Sequence, residues 1–381
     1  MTYGRRFLML MVCAILVSAC GIAAAQRDTE IRIGVFEPMT GAMAAGGQMT
    51  WEGIQLANEQ RPTVLGLPVK LILVDNRSDK VEAATAVTRL VQKDKVVAII
   101  GSYGSGLSMS GGPVAQQAKV PVMGCSPTNP LVTLGNDYYF RACFIDPFQG
   151  RVMAQFAYEN LGARKAAIIQ DVAQDYSVGL ANFFKQAFTE MTGDPKSVVA
   201  FTSYQTGDRD FTAQLTYAAN AKPDVVFAPG YYSDVAVMVT QARSLGLKMP
   251  FLGGDTLEAP EFIQIGGKNV EGVYFSTHYS ADAPLTKASE KFVALYKAKY
   301  KEAPNTFAAL GYDSYMLVID AIERAGSANS VSIRDAIAKT KNFMGATGII
   351  TLDKNGDATK SAVVLVVKDG QFKLVDVVHP K

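Results

Sequence analysis

Short, continuously apolar runs alternate along this chain with longer stretches in which apolar residues recur at helical spacing. The runs are IRIGVF (Ile31–Phe36), KLILVD (Lys70–Asp75), VVAIIG (Val96–Gly101), AKVPVM before Gly124, KAAIIQD (Lys165–Asp171), VVAFTSY (Val198–Tyr204), DVVFAPG (Asp224–Gly230) and FLGGD (Phe251–Asp255). Rich in β-branched residues and apolar on both faces, they predict parallel strands covered by helices on either side. Helices are expected over Trp51–Glu59, Val81–Lys93, Phe148–Asn160, Val235–Leu245, Pro284–Tyr300, Phe307–Arg324 and Ser332–Thr340. The segment Ala362–Val378 reads as a hairpin turning at Asp369-Gly370. The fold class is α/β, with doubly wound sheets.

The pattern breaks near FIDPFQG (Phe144–Gly150), VYFSTHYSADAP (Val273–Pro284) and GATGIITLD (Gly345–Asp353). A chain of 381 residues is too long for one core. Three breaks predict three crossings between two lobes, 31–145 plus 278–347 and 146–277 plus 348–381. Ahead of them, a basic start (Arg5, Arg6), an uncharged apolar run and small residues describe a signal peptide over residues 1–25. Cleavage after Ala25 and a lipobox reading of VSAC, which would leave a lipid anchor on Cys20, both fit.

Charge narrows the partners. The chain has 37 Lys and Arg against 35 Asp and Glu, and the leader holds two arginines and no acid. The exported part is balanced, which gives no support for a nucleic-acid partner. Beyond the leader only Cys125 and Cys143 remain, either bridged or two half-buried thiols.

In open α/β sheets ligands sit beyond the carboxyl ends of the strands. Here those ends are EPMTGAMAAGGQ, SYGSG and GCSPTNP in the first lobe, and DVAQDYS, GYYSD and GDTLEAPE in the second. They are rich in glycine, hydroxyls and tyrosine. Ser105 opens a helix whose N-terminal N–H groups suit an anion, and Ser126 and Thr128, held between Pro127 and Pro130, can join it. That set suits a carboxylate. Asp255 is an acceptor for an ammonium or a helix N-cap, or both. Tyr176 and Tyr231 line the cleft or pack the lobes.

Catalysis finds no such constellation. The chain has two histidines, His278 and His379, and both read as structural rather than as bases for Cys125 or a serine. No His/Cys spacing suits a metal, and DKNGD (Asp353–Asp357) reads as a tight turn, since Val364 stands where a calcium loop needs glutamate. No cofactor is expected, and GSYGSG lacks the residues of a phosphate loop.

IRIGVFEPMTGAMAAGGQMTWEGIQLANE, SPTNP, FRACFIDPFQG, QDYSVGL and FAALGYDSYMLVIDAI resemble periplasmic branched-chain amino-acid-binding proteins, the substrate-binding components of ABC importers. The resemblance runs through the whole exported chain. It implies a type I periplasmic-binding-protein fold, two lobes joined by three crossovers and closing like a hinged clamp. It further implies a monomer that docks on a permease. Carried over, it puts the ligand α-carboxylate on Ser105, Ser126 and Thr128, the ammonium on Asp255, Thr128 and the Ser126 carbonyl, and the lining on Tyr176, Tyr231 and Phe307. Gly46 stands where such binders often carry a tyrosine, which implies an enlarged or reshaped side-chain pocket. Ser78 and Gly104 replace the family's paired cysteines. A sensor for a membrane receptor and a binder of a carboxylate without an amine are the alternatives.

Overall fold

The computed structural model describes residues 29–380; the signal peptide and Cys20 lie outside them. The first lobe is built on a six-stranded sheet in the order β2-β3-β1-β4-β5-β6. Its strands are β1 (Ile31–Glu37), β2 (Thr63–Val64), β3 (Leu67–Asp75), β4 (Ala98–Ile100), β5 (Val122–Gly124) and β6 (Tyr139–Arg141). All neighbours are parallel except the short β2–β3 pair. The second sheet holds β7 (Ala166–Asp171), β8 (Val198–Tyr204), β9 (Val225–Phe227), β10 (Phe251–Gly253) and β11 (Tyr274–Thr277), all parallel. After a small sheet of β12 (Phe343–Gly345), β13 (Gly348–Leu352) and β14 (Ala358–Thr359), the expected hairpin, β15 (Ala362–Lys368) and β16 (Gln371–Val378), adds antiparallel strands beside β11.

The chain passes from the first sheet to the second after β6, returns after β11, and crosses again before β15. These are the three crossovers expected. The alternation of β1 shows how the cores divide: Ile31, Ile33 and Val35 belong to a cluster with the helix Thr306–Ala325. Phe36 belongs to a second cluster that continues through Ile168, Phe227 and Leu252 of the second sheet. Ile350, Leu352 and Ala358 of the small sheet join the cluster of Ile31.

One stretch differs from the sequence reading. AMAAGGQ, taken as a loop, belongs to a helix that runs from Ala44 to Gln60. Its glycines reflect close packing rather than a turn: a Cβ on Gly47 would stand 2.1 Å from the Pro38 carbonyl oxygen, and one on Gly53 1.8 Å from that of Ala308. Helix propensity yields there to the space between elements. No described helix is long and apolar enough to cross a membrane.

Candidate functional site

The C-terminal ends of β4 and β5 face those of β7, β9 and β10, and the residues between them are buried. Gly104, at φ +90°, turns the chain into the helix Ser105–Gln117. Ser105 is 1% exposed, and its Oγ accepts from the Asn129 backbone amide at 3.2 Å, so the SYGSG and GCSPTNP loops are tied together. In GCSPTNP the Ser126 Oγ and Thr128 Oγ1 are buried and without a hydrogen-bond partner among the described residues.

Arg141 holds this loop in shape. Its guanidinium, fully buried, donates to the carbonyls of Pro127 (2.7 Å) and Asn129 (2.9 Å) and to Thr133 Oγ1 (2.6 Å), and it pairs with Asp357 at 2.7 Å. Asp357 closes the DKNGD turn, in which Asp353 Oδ1 accepts from the amides of Asn355 and Asp357. That motif is therefore the tight turn expected, and it supplies the counter-charge beneath the loop.

Opposite, Asp255 begins a short 3-10 turn but caps nothing; its carboxylate is turned to side chains instead. Oδ1 accepts from the Tyr176 hydroxyl and the Gln149 amide, both at 2.8 Å, and Oδ2 lies 3.2 Å from His278 Nε2. His278 is fully buried, its ring tilted by 34° against Phe144 with centroids 3.7 Å apart, and its Nδ1 has no partner among the described residues. Burial lowers its pKa against the pull of Asp255, which keeps the ring neutral. Asp146, at the start of the helix Asp146–Gln155, is wholly buried beside Thr128, whose carbonyl accepts from its amide at 2.9 Å. Burial pushes its carboxyl up to about 8, the neighbouring Thr128 hydroxyl and Arg141 opposing the shift and Asp255 adding to it.

Rings complete the enclosure. Tyr231 lies 5.7 Å from Tyr176 and 5.8 Å from Tyr103, and Tyr103 meets Phe307 edge-on at 4.9 Å. Burial raises the pKa of all three tyrosines well above the ordinary phenol value, so they stay neutral. The two walls touch at several points. Lys80 pairs with Asp175 at 2.7 Å, the Asn129 amide donates to the Asp175 carbonyl at 2.8 Å, and a Cβ on Gly104 would stand 3.3 Å from the Tyr231 hydroxyl.

All seven residues singled out in the sequence, Ser105, Ser126, Thr128, Tyr176, Tyr231, Asp255 and Phe307, are buried at these facing strand ends. Four others at the site were not foreseen. Asp146 and Gln149 lie in FIDPFQG, a break in the pattern and a motif of the resemblance that points to neither residue, and Tyr103 lies inside SYGSG, whose sequence signal is its glycines and Ser105. His278, expected to be structural, reaches Asp255 from the second crossover. Gly46 does not open the pocket, because the Tyr103 ring fills the space beside it: a Cβ there would stand 2.4 Å from the ring. The two cysteines are free, and both are fully rather than half buried. Burial pushes the Cys143 thiol up to about 12 and that of Cys125 well above its ordinary value, which favours the protonated thiol in both. No group of three or more metal-ligating side chains occurs among the described residues.

A family model described as periplasmic binding protein matches residues 30–371. The solved leucine-binding protein LivK of Thermotoga maritima is 49% identical with a TM-score of 0.89, over 92% of this chain and 99% of that one. LivJ of Streptococcus pneumoniae, a branched-chain amino-acid transporter substrate-binding protein solved with isoleucine, is 34% identical with a TM-score of 0.86, over 92% and 100%. A Leu/Ile/Val-binding protein homolog of Brucella melitensis is 29% identical over 333 residues, 86% of this chain and 88% of the relative.

Proposed function

This chain belongs to the periplasmic binding protein family, and on that premise we propose that it binds an amino acid between its lobes and hands it to an ABC importer. The observation that carries the reading is a pair of buried, complementary walls. The hydroxyls of Ser126 and Thr128 stand on one side and the buried carboxyl of Asp255 on the other, with Asp146 beside Thr128, its amide donating to the Thr128 carbonyl at 2.9 Å. The first set, with Ser105, would take the ligand α-carboxylate. The second would take the ammonium, which in a dry cleft needs a charged partner. Tyr176, Tyr231 and Phe307 would enclose the side chain. We take the first lobe as 31–145 plus 278–359 and the second as 146–277 with the terminal hairpin. The signal peptide would place the protein outside the cytoplasm, freed after Ala25 or tethered through Cys20. It would act as a monomer, both rims docking on the permease once the lobes close.

Closure would bury the ligand, and binding to the folded form alone raises apparent stability. A thermal-shift screen of amino acids and small carboxylates tests the reading. A shift with amino acids, absent for their des-amino analogues, is expected. One observation favours a second reading, a carboxylate lacking an amine: Asp255 already has three neighbours able to donate to it. A response restricted to such carboxylates would establish that reading and overturn the first.

A further inference from the structure

Tyr103 stands at the edge of the cleft in a position that neither wall explains. Its backbone amide donates to Glu37 Oε2 at 2.7 Å, so the loop that carries it is anchored to a fully buried side chain at the end of β1. The ring lies against Gly46, where a Cβ would stand 2.4 Å from both Cε2 and Cζ. It packs on Tyr231 and on Phe307, both part of the proposed lining. Gly46 and Tyr103 are thus a complementary pair: the helix Ala44–Gln60 omits a side chain where the neighbouring loop inserts a ring.

Tyr103 is 1% exposed, and its Oη has no hydrogen-bond partner among the described residues. A phenylalanine would fill the same space without burying an unpaired hydroxyl, which is costly. The phenol stays protonated, since burial raises its pKa, and it can both donate and accept.

We propose that Tyr103 determines ligand specificity, its hydroxyl bonding to an oxygen or nitrogen on the ligand's side chain. This rests on the amino-acid reading and narrows it to amino acids whose side chains carry a hydrogen-bonding group. An aliphatic side chain of equal size fits the same aromatic walls but leaves the hydroxyl orphaned. A site built around a buried hydroxyl discriminates strongly against ligands that lack the matching group.

The test is calorimetry on the purified protein and on Tyr103→Phe with pairs that differ chiefly in a polar group: threonine and valine, asparagine and leucine, tyrosine and phenylalanine. The wild type should bind the polar member of at least one pair tenfold or more tightly. Tyr103→Phe should reduce that ratio to threefold or less, mainly by gaining affinity for the apolar member. Its thermal midpoint without ligand should stay at or above that of the wild type, since it loses no internal hydrogen bond. Apolar members preferred in every pair that binds, or a ratio unmoved by the substitution, overturns the assignment. If only carboxylates without an amine bind, the amino-acid reading fails on its own. The hydroxyl is then judged on 4-hydroxybenzoate against benzoate, and a ratio that Tyr103→Phe leaves unchanged overturns it there. Binding of none of these compounds overturns both.

Discussion

The guanidinium of Arg141 and the carboxylate of Asp357 meet at 2.7 Å in the interior, one at the end of β6 and the other at the end of the DKNGD turn. Between them they fix the underside of the loop that carries Ser126 and Thr128. Asp357→Ala would leave a buried guanidinium without a counter-charge. It should destabilise the protein by about 3–5 kcal/mol, measured by urea unfolding. A loss below about 1 kcal/mol would show that the pair does not hold the loop.

Asp255 is the clearest target for binding. Alanine there would orphan Tyr176, Gln149 and His278 together, so Asp255→Asn, which keeps the shape and removes the charge, is the better variant. Loss of a buried charged partner should weaken amino-acid binding by about 2–5 kcal/mol, at least ~30-fold in Kd. Calorimetry showing unchanged affinity in the folded variant would remove Asp255 from the ammonium site.

Asp146 predicts a pH dependence. With its pKa pushed up to about 8 by burial, its acid form predominates at pH 7 in the closed cleft. An ammonium beside it favours the carboxylate and releases that proton. Affinity should therefore rise from pH 6 to pH 8 and level off above. Asp146→Asn should flatten the profile. Proton uptake on binding, read by calorimetry in buffers of different ionisation enthalpy, would contradict this sign.

The Lys80–Asp175 pair joins the two lobes at the rim, where both side chains are more than a third exposed. An exposed pair contributes about 0.2–1 kcal/mol. Lys80→Ala should weaken ligand affinity by no more than about fivefold, and the difference should shrink in high salt. A loss that grows with salt would argue against an electrostatic latch.

Gly53 faces the carbonyl of Ala308, and Gly311 faces that of Thr50 at 2.2 Å from a built Cβ. The helices Ala44–Gln60 and Thr306–Ala325 touch backbone to backbone there. Gly53→Ala should cost about 1–3 kcal/mol by overpacking, despite alanine's better helix propensity. A stabilised variant in chemical denaturation would refute the close contact.

Sequence alone determined the α/β class, the three crossings between the sheets and the strand ends that carry the candidate site. Each of these depends on local pattern: apolar runs make buried strands, and glycine and hydroxyl residues collect where strands stop. Ser105, Ser126, Thr128 and Asp255, the proposed ligand contacts, stand out in the sequence for that reason. What only the tertiary structure decided is which groups meet across the chain's long connections. His278 reaches Asp255, Tyr103 fills the space beside Gly46, and Arg141 finds Asp357, although no spacing in the sequence links the members of these pairs. Burial then settled protonation, leaving Asp146 and His278 with shifted pKa values. Desolvation depends on everything packed around a group, and the order of residues along the chain does not reveal it.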